Sequence, residues 1–179
     1  HGGEDIVIGH NTLIDCNCGI AATNDPLNHL GHSRITIVGN TIYINHGAGE
    51  IIPSGRPGIL FNGHDATYTA DTGTITANSI KGHNVGVATY YTNNTVVHGN
   101  SINDCGVGVE INVASYNLLV AGNTIIDTAG LGFRIYTATA DTSYGLIEGN
   151  AVASGTVAGV YVDVTGGGKF ISAVDITQF

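Results

Sequence analysis

A short marker that returns six times constrains the fold of this chain more than any other feature. The marker is a small residue (His in the first copy), then Asn, a small residue and an aliphatic one: His10-Asn11-Thr12-Leu13, Gly39-Asn40-Thr41-Ile42, Ala77-Asn78-Ser79-Ile80, Gly99-Asn100-Ser101-Ile102, Gly122-Asn123-Thr124-Ile125 and Gly149-Asn150-Ala151-Val152. A second marker, Gly before an apolar residue, follows each copy: Gly19-Ile20, Gly58-Ile59, Gly86-Val87, Gly108-Val109, Gly132-Phe133 and Gly159-Val160. Successive Asn residues are 29, 38, 22, 23 and 27 positions apart, so the bare unit has about 22 residues and the longer steps carry insertions.

The length and composition of this unit leave few architectures. Leucine-rich repeats share the period, but they need a Leu-rich consensus that is missing here. The chain has 27 Gly and only 11% charged residues, which is typical of short strands joined by turns in which Gly and Asn supply positive φ. Each unit therefore predicts one rung of a parallel β-helix. In the rung from Val96 to Val113 we expect strands at Val96-Val97, around Ile102 and at Val109 to Val113, with Gly106-Val107-Gly108 as the turn that opens the third.

Stacked rungs place equivalent residues in columns about 4.8 Å apart. The Asn of the first marker then forms a ladder along the rod, with each amide bonding its neighbours above and below; we expect this ladder to be structural. On the strand that follows the second marker, alternate apolar residues point into the core. They are Ile20, Ile59, Phe61, Val87, Val109, Ile111, Phe133, Ile135, Val160 and Val162.

The two markers together resemble the right-handed parallel β-helix repeats of pectate-lyase-like proteins. That group includes polysaccharide lyases, mannuronan epimerases, NosD-like periplasmic proteins and phage tailspikes. The resemblance covers Ile6 to about Val164 and implies an all-β fold, a right-handed parallel β-helix (solenoid) of about six rungs. The Tyr/Asp-Pro-His signature of the epimerases is missing, since Asp25-Pro26 is the only Asp-Pro pair and no His follows it directly. We expect one domain over residues 1–179, whose abrupt start at His1 is typical of a piece of a larger chain.

Charge and cysteine content limit the kinds of molecule and metal ion that this chain is expected to bind. The net charge is −9 with five basic residues, which argues against nucleic acid and anionic membranes because both need a basic surface. No apolar run approaches the ~20 residues of a membrane span. The odd set Cys16, Cys18 and Cys105 is not a disulfide framework, and without a C-x-x-C pair it does not favour zinc. We interpret the three as small, mostly buried residues.

The residues between the inward positions must point outward, and they form two columns. The first runs Ala21, Leu60, Ala88, Glu110, Arg134, Tyr161, and the second runs Thr23, Asn62, Tyr90, Asn112, Tyr136, Asp163. Aromatic rings beside planar polar groups are typical of a polysaccharide groove. We therefore predict substrate contacts at Tyr90, Asn112, Tyr161 and Asn62, with His64 and Asp65 from a neighbouring loop.

The same columns hold four candidate catalytic residues. Arg134 could bind a uronate carboxylate bidentately, and Tyr136 could move a proton. Glu110 and Asp163, two rungs and roughly 10 Å apart, could serve as the acid and base of an inverting hydrolase. The simpler interpretation is that Glu110 and Arg134 form a cross-strand ion pair on a solvated face.

The insertions and corners carry weaker signals. Four insertions span Thr23 to Ser33, His46 to Pro57, His64 to Gly73 and Thr137 to Gly145; three of them leave from one corner, where binding loops could gather or loop length could simply vary. Asp104 and Asp127 occupy equivalent corner positions, which favours exposed carboxylates or a Ca²⁺ site with an incomplete ligand set. His29 and His32 share a loop and are a weaker metal candidate. No cofactor motif occurs in the sequence, so we expect no cofactor apart from a Ca²⁺ ion at the corner carboxylates.

Two functions follow from these observations and from the resemblance. The first is an extracellular or cell-surface domain that binds a polysaccharide or acts on it as a lyase, epimerase or hydrolase. The second is a non-catalytic shaft or adhesin segment, such as part of a tailspike. In that case a homo-oligomer or adjoining domains would cover the open strand edges at the ends of the rod.

Overall fold

The computed structural model describes residues 4–23, 33–45, 56–63, 69–112, 115–126, 131–136, 144–153, 160–163 and 169–173. Within them lie twenty strands, and every strand pairing is parallel. Over the same ranges no helix is long and apolar enough to cross a membrane. The strands are β1 Glu4–Gly9, β2 Thr12–Ile14, β3 Ile20–Thr23, β4 Ser33–Val38, β5 Thr41–Tyr43, β6 Ile59–Asn62, β7 Ala70–Thr76, β8 Ser79–Lys81, β9 Val85–Tyr90, β10 Thr92–Asn93, β11 Val96–His98, β12 Ser101–Asn103, β13 Val107–Asn112, β14 Leu118–Ala121, β15 Thr124–Ile126, β16 Leu131–Tyr136, β17 Tyr144–Glu148, β18 Ala151–Ala153, β19 Val160–Asp163 and β20 Lys169–Ala173.

The strands form three sheets that the chain visits in turn. Sheet A has the order β1-β4-β7-β11-β14-β17-β20, with β10 also paired to β7. Sheet B has the order β2-β5-β8-β12-β15-β18, and sheet C has the order β3-β6-β9-β13-β16-β19. Neighbours in each sheet are one repeat apart in sequence, so the chain coils as a right-handed parallel β-helix of about six rungs. This confirms the predicted fold.

The first marker turns the chain from sheet A to sheet B. The residue before each Asn has a positive φ between 54° and 65° in all six copies: His10, Gly39, Ala77, Gly99, Gly122 and Gly149. Glycine adopts this left-handed conformation without steric cost, which explains why four of the six positions are Gly.

The predicted Asn ladder is present and runs the length of the described rungs. The Nδ2 of Asn78 donates to Oδ1 of Asn100 (3.0 Å), and the Nδ2 of Asn100 donates to Oδ1 of Asn123 (2.9 Å). The backbone N–H of Asn78 also donates to Oδ1 of Asn100 (3.0 Å), and the second Nδ2 proton of Asn100 reaches the carbonyl of Ile75 (3.0 Å). Asn11, Asn40 and Asn150 continue the pattern. Each inner amide is therefore fully hydrogen-bonded, as burial of a polar group requires.

The glycine of the second marker is required by packing. A Cβ on Gly108 would lie 2.6 Å from the carbonyl oxygen of Gly132 and 2.7 Å from Cγ2 of Ile125 on the next rung. Gly19, Gly58, Gly86 and Gly132 face an Ile or Val of the following rung in the same way. Val107 and Gly108 lie within β13 rather than in a turn, so the predicted turn at Gly106-Val107-Gly108 is wrong at its last two residues.

The core lies between the three sheets and consists mainly of isoleucine. The predicted inward residues are all buried wherever their side chains are described, namely Ile20, Ile59, Phe61, Val87, Val109, Ile111, Phe133 and Ile135. Val160 and Val162 lie on β19 in the expected register with Phe133 and Ile135. One inward position is polar: Thr89 is fully buried, and its hydroxyl has no hydrogen-bond partner in the part of the chain that the structure describes.

The first rung forms an open end of the described rod. Strands β1, β2 and β3 each pair on one side only among the described residues. A cavity of about 240 Å³ opens there between Ile6, Ile8, Ala22 and Ile35. Among the described residues, Val7 and Ile14 on the same rung are large apolar side chains that are exposed, at 68% and 47%.

Candidate functional site

Sheet C aligns the two outward columns as predicted. Glu110 pairs in register with Ala88 on one side and with Arg134 on the other, and Arg134 pairs with Tyr161. Leu60 and Ala21 complete the first column. The second column has the predicted members in the predicted order: Thr23, Asn62, Tyr90, Asn112, Tyr136 and Asp163.

Four of the predicted site residues form one hydrogen-bonded network around the carboxylate of Glu110. Arg134 donates to Oε2 from both Nε (2.8 Å) and Nη2. Tyr90 donates its hydroxyl proton to Oε1 at 3.0 Å, and Nδ2 of Asn112 donates to the same oxygen at 3.2 Å. Both carboxylate oxygens are therefore engaged by groups from three neighbouring rungs.

The ion pair of this network is not on a solvated face. The side chain of Glu110 is only 3% exposed, whereas that of Arg134 is 27% exposed. The simpler interpretation of the sequence was right about the pairing and wrong about the solvation. A buried carboxylate without a partner is strongly unfavourable, so Arg134, Tyr90 and Asn112 are the groups that make this position tenable for Glu110.

An apolar cluster explains how an outward residue becomes buried. Each second-marker glycine turns toward the core, so the residue before it faces outward. Val85, Ala88 and Val107 form a buried cluster on this outer side, separate from the main core. Leu60, Leu131 and the ring of Tyr90 pack against it. This cluster was not predicted from the sequence. Its signal is an apolar residue before the second-marker glycine, as in Val85-Gly86, Val107-Gly108 and Leu131-Gly132.

The phenol of Tyr90 is held in its protonated form. Burial, followed by the negative charge of Glu110 and the hydrogen bond to it, raises the pKa of Tyr90 well above its ordinary value of about 10. The hydroxyl is thus a fixed donor toward Glu110 and is poorly suited to act as a base.

The structure describes the remaining predicted site residues in different detail. Tyr136, Tyr161 and Asp163 are located through strand register only. Asn62 is half-buried and lies beside Tyr90 in the second column. His64 and Asp65 lie outside the described residues, as do His1, His29, His32, Asp127 and most of the four insertions.

Metal-ligating side chains do not cluster in the part of the chain that the structure describes. No group of three or more His, Cys, Asp or Glu residues there could hold an ion. Asp104 is exposed, but its predicted partner Asp127 lies outside the described residues, so the Ca²⁺ prediction remains a prediction. Cys105 is buried, and burial raises the pKa of its thiol to about 11; Cys16 and Cys18 are only half-buried. The expectation of mostly buried cysteines is therefore right for Cys105 and less so for the other two.

Comparison with known proteins addresses the fold directly. A family model described as the right handed beta helix region matches residues 29–175. The chain belongs to this family. Neither the curated proteins nor the solved structures gave a match. As in other right-handed β-helix proteins, the coil is the common scaffold, and the Glu110 network lies inside the matched region.

Proposed function

We propose that this right-handed β-helix domain binds a polysaccharide along the outer face of sheet C. The observation that carries the proposal is the network itself. One buried carboxylate holds an aromatic ring, an amide and a guanidinium on three successive rungs, from Tyr90 through Asn112 to Arg134. Aromatic side chains supply a flat apolar surface with a polar tip, and groups locked by their neighbours lose little freedom when a ligand binds.

The rung spacing suits an extended ligand. Successive strands of the sheet are about 4.8 Å apart, so the three contact groups follow one another along the rod axis, with Tyr90 and Asn112 in the second column and Arg134 in the first. A chain of sugar rings lying along this row would present its C–H faces to Tyr90 and its hydroxyls to Asn112 and Arg134. We therefore expect the site to accommodate a polymer in preference to a single sugar.

The network favours binding over catalysis at Glu110. A general acid or base must reach a reacting atom within hydrogen-bond distance, but both oxygens of Glu110 already accept bonds from protein donors. Lyase, epimerase or hydrolase chemistry would have to use Tyr136 and Asp163 on β16 and β19, with Arg134 orienting the substrate. Those catalytic assignments remain predictions, as do the substrate contacts of Tyr161, His64 and Asp65.

Two tyrosine-to-alanine substitutions test the proposal. Binding of the purified domain to a panel of soluble polysaccharides is measured by affinity electrophoresis for the wild type, Tyr90→Ala and Tyr43→Ala. Tyr43 is a matched control because it is also half-buried but lies on sheet B. We expect Tyr90→Ala to weaken binding at least ten-fold and Tyr43→Ala to leave it unchanged. Assays for unsaturated products and reducing ends on the same panel detect turnover. A folded wild type that binds no polysaccharide contradicts the proposal.

The exposed apolar side chains of the first rung favour a second candidate, a structural shaft or adhesin segment. Val7 on β1 is 68% exposed and Ile14 on β2 is 47% exposed, and such side chains are typical places for another polypeptide to pack. Under this function the domain would associate into oligomers or pack on an adjoining domain at the cell surface. Sedimentation at several concentrations tests it, and a monomer at all of them counts against self-association.

A further inference from the structure

We propose that the sheet C face selects uncharged, hydroxyl-rich polysaccharides and discriminates against polyuronates. This inference rests on the polysaccharide binding proposed above and specifies its ligand class. It departs from the sequence-based expectation that Arg134 would bind a uronate carboxylate.

The guanidinium of Arg134 already binds a carboxylate. Its Nε and Nη2 both donate to Oε2 of Glu110, and these two groups form one of the two edges through which an arginine binds a carboxylate bidentately. To use that edge, a ligand carboxylate would need to displace Glu110. Sugar hydroxyls make no such demand, because they can bond to polar groups at the rim of the network without removing a charge partner.

Separating Glu110 from Arg134 is energetically unfavourable. With a side chain 3% exposed, Glu110 has little access to water that could replace Arg134. Removing one member of a buried ion pair leaves an uncompensated charge and costs far more than breaking an exposed pair. Competition for Arg134 therefore disfavours an acidic ligand even when its shape fits.

The charge around the network also disfavours an anionic ligand. The other described side chains of the two columns carry no charge; they include Thr23, Leu60, Asn62 and Ala88. Because Glu110 and Arg134 neutralise each other, this part of the face has no net charge. The whole chain carries a net charge of −9. An anionic polymer thus meets a neutral patch on an acidic rod, whereas a neutral polymer meets an apolar ring and hydrogen-bonding groups.

Matched polymers test the ligand class. Polygalacturonate is compared with its fully methyl-esterified form, and polymannuronate with its carboxyl-reduced form, at low and physiological salt in the presence of EDTA to prevent calcium bridging. We expect the wild type to bind at least one neutral member ten-fold or more tightly than its acidic counterpart. The Glu110→Gln variant, which removes the carboxylate of Glu110 from Arg134, should gain at least ten-fold for the acidic members and change less than three-fold for the neutral ones.

Asp5→Asn provides the matched control. Arg34 also binds a carboxylate through Nε and Nη2, one bond to each oxygen of Asp5, but this pair lies on sheet A with both side chains exposed. The substitution changes the net charge by the same amount as Glu110→Gln, and we expect no gain in binding of polyuronates. An equal gain would show that net charge alone governs binding and would overturn the inference.

The outcomes separate this inference from the function on which it rests. A wild type that prefers the acidic member of either pair overturns the ligand class and leaves polysaccharide binding intact. A wild type that is folded by circular dichroism and binds none of the four polymers or the wider panel rejects polysaccharide binding itself. Preference for a neutral polymer with a gain in Glu110→Gln alone supports both.

Discussion

Two rows of polar side chains run along this rod, and they are built on opposite plans. At the corner between sheets A and B, every rung contributes the same residue, and Asn40, Asn78, Asn100 and Asn123 make the same bonds to the next rung. On the outer face of sheet C the backbone register is just as regular, but Ala88, Glu110 and Arg134 follow one another. A column that repeats its residue holds the coil together, whereas a column that changes its residue concentrates chemistry on particular rungs.

The two rows should also fail differently. Replacing one Asn of the ladder removes identical hydrogen bonds on both sides of its rung. The resulting loss in the free energy of unfolding therefore depends on how deeply that Asn is buried. A defect in the sheet C network affects one charge and the donors around it. Three experiments examine this contrast, from the largest expected effect to the smallest.

We expect Asn100→Ala to lower the free energy of unfolding by about 4 kcal/mol. The change removes the acceptor of the Asn78 N–H and Nδ2 groups and the donor to Ile75, all of them buried, and each buried group left unsatisfied costs roughly 1–3 kcal/mol. Urea denaturation followed by far-UV circular dichroism measures it. Asn11→Ala is the matched control, because Asn11 is exposed and water can replace its bonds at a cost of about 1 kcal/mol. Equal losses in the two variants would show that the ladder is not a buried scaffold.

We expect Arg134→Met to lower the free energy of unfolding by about 3 kcal/mol. The substitution keeps most of the side-chain volume but leaves the carboxylate of Glu110 without its cation, and breaking a buried pair costs roughly 3–5 kcal/mol before allowance for the partial exposure of Arg134. A double-mutant cycle with Glu110→Gln isolates the pair. The double variant should be more stable than Arg134→Met alone. If the two substitutions are additive, the ion pair contributes nothing to the fold.

The smallest effect concerns pH and Tyr90. Because the pKa of Tyr90 is raised in the folded protein, its contribution to stability is fully present below the ordinary value of about 10 and is lost as the pH rises above it. Between pH 9 and pH 11.5 we expect the free energy of unfolding to fall more for the wild type than for Tyr90→Phe. The difference should be well under the ~1.4 kcal/mol per pH unit that one proton can contribute, because solvent screens the half-exposed ring. Urea denaturation at both pH values gives the difference. Identical slopes would mean that Tyr90 ionises as freely in the folded chain as in the unfolded one.

The repeats made most of the fold predictable. Residues at equal distances from the same marker lie side by side on neighbouring rungs, as Asn78 and Asn100 do, and Glu110 and Arg134. The ladder, the columns and the inward residues could therefore be predicted by counting residues from the markers. The burial of Glu110 did not follow, because alternation tells which side of a strand a residue faces but not what covers it. The role of Gly108 was misjudged for a related reason. A glycine required by a close approach to Ile125 has the same appearance in a sequence as a glycine required by a turn.

The Asn ladder also gives the rod a direction. In every bond the amide N–H of one rung points to the oxygen of the next rung in the chain, so the amide dipoles add along the axis instead of cancelling. Among the described residues, the row therefore begins with the oxygen of Asn11, an acceptor. Two such ends brought face to face would oppose oxygen to oxygen, whereas an incoming strand that offers amide donors would extend the row by one step. The ladder thus distinguishes the two ends of the rod chemically, although its rungs all look alike.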